Sequence, residues 1–245
     1  MKQRIMLPVI AVAIVVVALI IAKSRNTSER AGKELIVFYD VPLVCGAAPD
    51  IGCGSRAKPA LLEMEQHPAI REAWLNRAGT VLAIVWRDSA QTEKVAKPIF
   101  DHNEISFTKI TDSNAAKYKQ TFRKQNEWYR SADVDKLSIE EAGRIAEKYV
   151  IFALERKLLS GEEAEKLKAD VEEYFKKELV KIRTNEELIE DSMNKFRVAM
   201  VSIGEKHIGK ERTDEVVNSY KKYQEECEMK DSSVDDAKYA CCKKK

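Results

Sequence analysis

Two of the chain's five cysteines fall in one short connection, CGAAPDIGCGSR, residues 45–56, with glycines at 46, 52 and 54. Thiolates are soft ligands, and two of them facing each other across one ion can hold Cu(I) or Hg(II). Two thiols so close in sequence can instead close a disulfide, which would stabilise the chain by about 2–3 kcal/mol through loop closure. A glycine-rich turn can also carry thiols incidentally. All three readings of Cys45 and Cys53 stand, and the first two are compatible, since a reduced pair can bind what an oxidised pair cannot. A second group lies in the Lys-rich tail, where Cys241 and Cys242 are adjacent and can jointly hold a soft ion. Alternatively, Cys227 bridges to Cys241 or Cys242. With five thiols, at least one stays free or pairs with another chain.

Cys53 lies just before a run with helical spacing and three residues from Arg56. A helix N-terminus and a guanidinium both stabilise a thiolate, so Cys53 is expected to ionise below the free-thiol value of about 8.5 and to be the more reactive of the pair. Catalytic patterns are otherwise missing: there is no phosphate-binding glycine loop, nucleophile elbow, zinc-protease motif or C-x-x-C. His67, His102 and His207 are far apart, in ordinary helix or turn surroundings. The chain reads as non-enzymatic. Its net charge of +2, with 33% charged residues of both signs, provides no basic face for nucleic acid.

The elements that must position Cys45 and Cys53 can be read around them. Leu35 to Tyr39 is a β-branched and aromatic run, hence a strand. Ala57, Ala60, Leu61 and Met64 recur on one helical face, with Pro59 tolerated in the first turn. Residues 69–76 and 80–86 form a hairpin around Asn76-Arg-Ala-Gly79. Thr92, Val95, Ala96 and Ile99 stripe a second helix, which Asp88 or Ser89 can cap, and 105–110 is a last strand. The order is β-α-β-β-α-β, a ferredoxin-like arrangement with both helices on one face.

That order, and the segment HPAIREAWLNRAGTVLAIVW, resemble the heavy-metal-associated domain family over residues 34–111. The resemblance implies a soft-metal carrier, with an M-x-C-x-x-C motif between the first strand and first helix. Counting back from Pro68, Cys53 takes the position of the family's first cysteine. Ile51 stands at the Met position and Arg56 at the second cysteine, and Cys45 is an added thiol upstream. The implied function is binding or transfer of a thiophilic ion through Cys45 and Cys53, with Cys241 and Cys242 as a second set and a metal transporter or other protein as partner. The other readings are a membrane-tethered scaffold with structural cysteines, and a thiol–disulfide redox protein.

Before this domain, IMLPVIAVAIVVVALIIA at 5–22 is uncharged and long enough for most of a bilayer core of about 30 Å. It is read as a retained single-span anchor, residues 1–23, followed by a linker at 24–33; the alternative is a cleaved leader. Flanking charges do not set the orientation, and a short N-terminal tail favours an exported, periplasm-facing soluble part. After residue 111 strand patterns vanish. Ser138/Glu141, Ser160/Glu163 and Thr184/Glu187 have the form of capping boxes that start helices. Ala115–Arg130 and Thr213–Met229 also have helical texture. The expected class is therefore α+β: a transmembrane helix, a ferredoxin-like domain (34–111), an all-α helical bundle (112–230) and a flexible Cys/Lys tail (231–245).

Overall fold

The computed structural model describes residues 34–87, 92–189 and 192–218. In chain order these contain β1 (Leu35–Asp40), α1 (Gly54–Gln66), β2 (Ile70–Asn76), β3 (Val81–Trp86), α2 (Thr92–His102) and β4 (Thr108–Lys109). There follow α3 (Asp112–Thr121), β5 (Trp128–Tyr129), α4 (Asp135–Glu155), α5 (Gly161–Leu179), α6 (Asn185–Ile189) and α7 (Ser192–Ile208). A further helical stretch runs over 210–218.

The strands form one antiparallel sheet in the order β4-β1-β3-β2-β5. Its centre is β3, VLAIVW, every residue of which is buried. A strand without polar alternation needs cover on both faces, and the helices provide it. On one face Tyr39 meets Phe100 of α2 and Phe107. On the other Phe38, Val81 and Ala83 pack with Ala115 of α3 and with Trp128. Phe38 makes ring contacts with Tyr118, Phe122 and Trp128 there.

The helices after β5 have their own core. Ala146, Tyr149 and Val150 of α4 meet Leu167, Val171 and Phe175 of α5, with Phe196 and Met200 of α7 against them. Two of the expected capping boxes are present. Ser160 accepts from Glu163 N–H while Glu163 reaches back to Ser160 N–H. Thr184 and Glu187 exchange the same bonds at α6.

The architecture corrects the expected fold class. It is mixed α/β with a five-stranded sheet, and the fifth strand comes from the stretch expected to be all-helical. The helix expected over 115–130 ends at Thr121, after which Arg123 and Asn126 turn the chain through left-handed backbone, each at φ 63°. That turn brings Trp128 and Tyr129 beside Asn76 and Leu75 of β2. Burial of Trp128 in the Phe38 cluster outweighs the helical preference of the intervening residues. The expected membrane helix is corrected as well. Among the described residues no helix is long and apolar enough to cross a membrane, which weighs against the single-pass, periplasm-facing placement, and that placement is withdrawn. The expected anchor (1–23), its linker (24–33), the cap at Asp88 or Ser89 and the tail (231–245) lie outside the described residues.

Candidate functional site

Between β1 and α1 the chain makes a small ladder of its own. Cys45 N–H donates to Ile51 O at 2.9 Å and Cys53 N–H to Leu43 O at 2.7 Å, with Val44 facing Gly52 in an antiparallel bridge. Side chains alternate along each strand of such a ladder, so Cys45, Ile51 and Cys53 share one face. The two cysteines are diagonal neighbours, a relation that spaces residues by roughly 7–8 Å. Cys45, Ala48 and Ile51 are buried together, and half-buried Cys53 packs on them. Both thiols are free.

Close backbone approach fixes the ladder against the β2–β3 turn. Gly52 N–H donates to Arg77 O at 2.6 Å, and a Cβ on Gly52 would lie 2.9 Å from the Cα of Gly79. Gly79 in turn adopts φ 71°, a left-handed conformation that favours glycine. Replacing either glycine would separate the ladder from the sheet.

The floor of the site comes from far along the chain. Cys53 Sγ–H donates to Glu141 Oε1 of α4 at 3.3 Å, and Cys53 Sγ also lies 3.4 Å from Ser55 Oγ. The Cys45 thiol, the Ser55 hydroxyl and the Gly54 N–H act on the same carboxylate, each favouring its ionised form. Glu141 is only 7% exposed, and its Oε2 has no hydrogen-bond partner. Burial wins over these donors and holds the Glu141 carboxyl above the usual carboxylate range. Burial first, and the Glu141 charge second, push the Cys45 thiol up to about 12 and raise Cys53 for the same reasons.

This reverses the expectation of an acidic Cys53. Cys53 does stand at the N-cap of α1, but its side chain does not cap the helix. Arg56 points to the surface, where Nη2 donates to Glu104 O at 3.5 Å. Loss of hydration and a neighbouring carboxylate outweigh the helix terminus.

Several contacts hold α4 under the cysteine ladder. Lys58 of α1, nearly buried, forms an ion pair with Asp135 in the first turn of α4. Glu65 accepts from Arg130 Nε at 2.7 Å and from Ser131 Oγ. Farther along α4, Arg144 Nη2 lies 3.6 Å from Asp50 Oδ2, and Lys148 Nζ donates to Gly46 O at 3.2 Å. Glu141, Arg144 and Lys148 therefore follow one side of the helix along the ladder, as spacings of three and four residues require.

The structure thus brings Cys45 and Cys53 together around a carboxylate that the sequence pattern had assigned elsewhere. Ser138 and Glu141 look like a capping box, yet α4 begins at Asp135 and Ser138 lies inside it, fully buried against Gly54. The signal that could have identified Glu141 is its place on the apolar side of α4, among Leu137, Ala142 and Ile145. Cys227, Cys241 and Cys242 lie outside the described residues. The histidines have separate partners: His67 Nδ1 accepts from Ala69 N–H, His102 bridges Glu63 and Glu186, and His207 meets Asp170. Among the described residues no three or more His, Cys, Asp or Glu side chains are arranged to hold a metal ion. No family model, no curated protein and no solved structure matches this chain.

Proposed function

We propose that this protein exchanges dithiol for disulfide through Cys45 and Cys53. The observation that supports this reading is their placement on one face of the ladder, packed in one small apolar cluster with both thiols free. Cys53 is the more exposed, so it attacks the disulfide of a partner molecule. A bond forms between Cys53 Sγ and one partner sulfur, and the other leaves as a thiolate. Cys45 then attacks Cys53 Sγ, closing the internal disulfide and releasing the second partner thiolate. The two cysteines are oxidised and the partner disulfide is reduced to two thiols. Diagonal neighbours, at roughly 7–8 Å, stand beyond the distance a disulfide spans, so closure requires the 46–50 turn to shift the backbone.

The test is equilibration of the full chain, with Cys227, Cys241 and Cys242 changed to Ser, against glutathione redox buffers. Peptide mapping should find a reversible Cys45–Cys53 disulfide with a defined midpoint. Thiols that remain free or form only mixed disulfides with glutathione across the whole range would overturn the reading. Tight one-to-one Cu(I) binding by a pair that never closes would replace it with carriage of a thiophilic ion.

A further inference from the structure

The exchange above requires Cys53 to lose a proton, yet the thiol sits in surroundings that oppose a thiolate. The group placed to take that proton is already in contact with it. Glu141 Oε1 accepts from Cys53 Sγ at 3.3 Å, its other oxygen is buried without a partner, and the side chain is 7% exposed. A carboxylate this buried is costly unless its hydrogen bonds are complete, and Glu141 Oε2 lacks one. Among the described residues, two other acids of this region are otherwise placed: Asp50 is exposed and directed toward Arg144, while Asp135 is engaged with Lys58.

We infer that Glu141 is the proton acceptor for Cys53, a catalytic residue of the exchange; the inference rests on the redox reading above. Glu141 carboxylate takes the Cys53 proton and becomes a carboxylic acid as the sulfur attacks the partner disulfide. The departing thiolate leaves with its electron pair, and Glu141 returns its proton to water. When Cys45 attacks in turn, its proton follows the same route, since its thiol acts on the same carboxylate. The other groups facing Glu141 are the Ser55 hydroxyl and the Gly54 N–H of α1, with Ser138 one turn before it on α4. None of these carries charge. The charged neighbours Arg144 and Lys148 are directed to Asp50 and the Gly46 carbonyl. Burial raises the proton affinity of the Glu141 carboxylate, making it a stronger base than an ordinary carboxylate and closer to what a thiol requires.

The competing role is purely electrostatic, and it predicts the opposite sign. A fixed negative charge beside Cys53 opposes thiolate formation, so removing it would speed attack. The experiment measures single-turnover reaction with dipyridyl disulfide as a function of pH. The protein is the full chain with Cys45, Cys227, Cys241 and Cys242 changed to Ser, so that only Cys53 reacts and no internal disulfide is needed. With Glu141 present, the rate should show an inflection below the thiol range. Glu141→Gln should remove that inflection and slow the reaction at neutral pH by about tenfold or more, while Glu141→Asp restores part of the rate. A faster Gln variant, or a Glu141 profile with the thiol inflection alone, would overturn the inference. The second outcome needs no variant, so misfolding of Glu141→Gln cannot mask the answer. Failure of the internal disulfide to form, with this profile intact, would refute the redox reading and not the role of Glu141.

Discussion

Gly54→Ala tests the contact on which the site depends. A Cβ at residue 54 would lie 2.5 Å from Ser138 Oγ and 2.7 Å from both Ser138 N and Val134 O, two of these three atoms being backbone. Ordinary contact begins near 3.4 Å, so the start of α1 must retreat from α4 by about 0.7 Å or more. Overpacking of this kind costs about 1–3 kcal/mol, against a gain of about 0.4–1 kcal/mol from a less flexible unfolded chain. The net expectation is a loss of roughly 1–2 kcal/mol, read from urea midpoints at unchanged slope. The same retreat lengthens the Cys53–Glu141 contact, so the reaction of Cys53 with dipyridyl disulfide should shift toward the profile of Glu141→Gln. Gly46→Ala and Gly161→Ala are the controls, since an added Cβ at either meets nothing within 4 Å; both should stay within about 0.5 kcal/mol or be slightly stabilised. A Gly54→Ala protein as stable as these controls, with an unaltered Cys53 profile, would refute the close packing of α1 on α4.

Three further predictions rest on different parts of the fold. Lys58→Met leaves Asp135 without its ion-pair partner and with Oδ1 already unpartnered; because Asp135 is partly exposed, the loss should be about 2–3 kcal/mol, less than a fully buried pair costs. Asp135→Ala added to Lys58→Met should recover part of it, and a purely additive double mutant in urea would contradict the pairing. Glu141→Gln should change stability with pH in a definite sense. The native carboxyl is raised above its ordinary 4.5, so its protonated form favours the fold and that contribution is lost as pH rises through the raised value. The Gln variant should therefore gain on the parent from acid to neutral pH, and a stability difference independent of pH would refute the burial argument. Ser160→Ala removes the N-cap of α5 and should cost about 1 kcal/mol by thermal or urea unfolding; no change would mean that the capping box is not formed in solution.

Much of what surrounds the cysteines could be read from local pattern. The β1 run, the α1 stripe of Ala57, Ala60, Leu61 and Met64, the hairpin at 70–86 and the boxes at Ser160 and Thr184 all depend on neighbours in sequence. Spacing, turn residues and hydroxyl–acid pairs report such neighbours directly. The Ser138/Glu141 pair shows where that reasoning fails. Its form is that of a cap, but α4 extends one turn earlier because Asp135 pairs with Lys58 and the buried Ser138 is packed against Gly54. β5 is not legible in local pattern for a related reason: two residues beside β2 form a strand only because Trp128 completes the aromatic cluster around Phe38.

By itself the sequence determined that Cys45 and Cys53 sit in a glycine-bearing connection between a strand and a helix, close enough to act as a pair. Tertiary structure alone decided their chemistry, because ionisation is set by what surrounds a group and not by its position along the chain. Cys53 has the helix N-terminus that the sequence promised, but it also has burial and, from 88 residues away, the Glu141 carboxylate. Desolvation and an adjacent negative charge act over a few ångströms, and only folding brings those residues within reach.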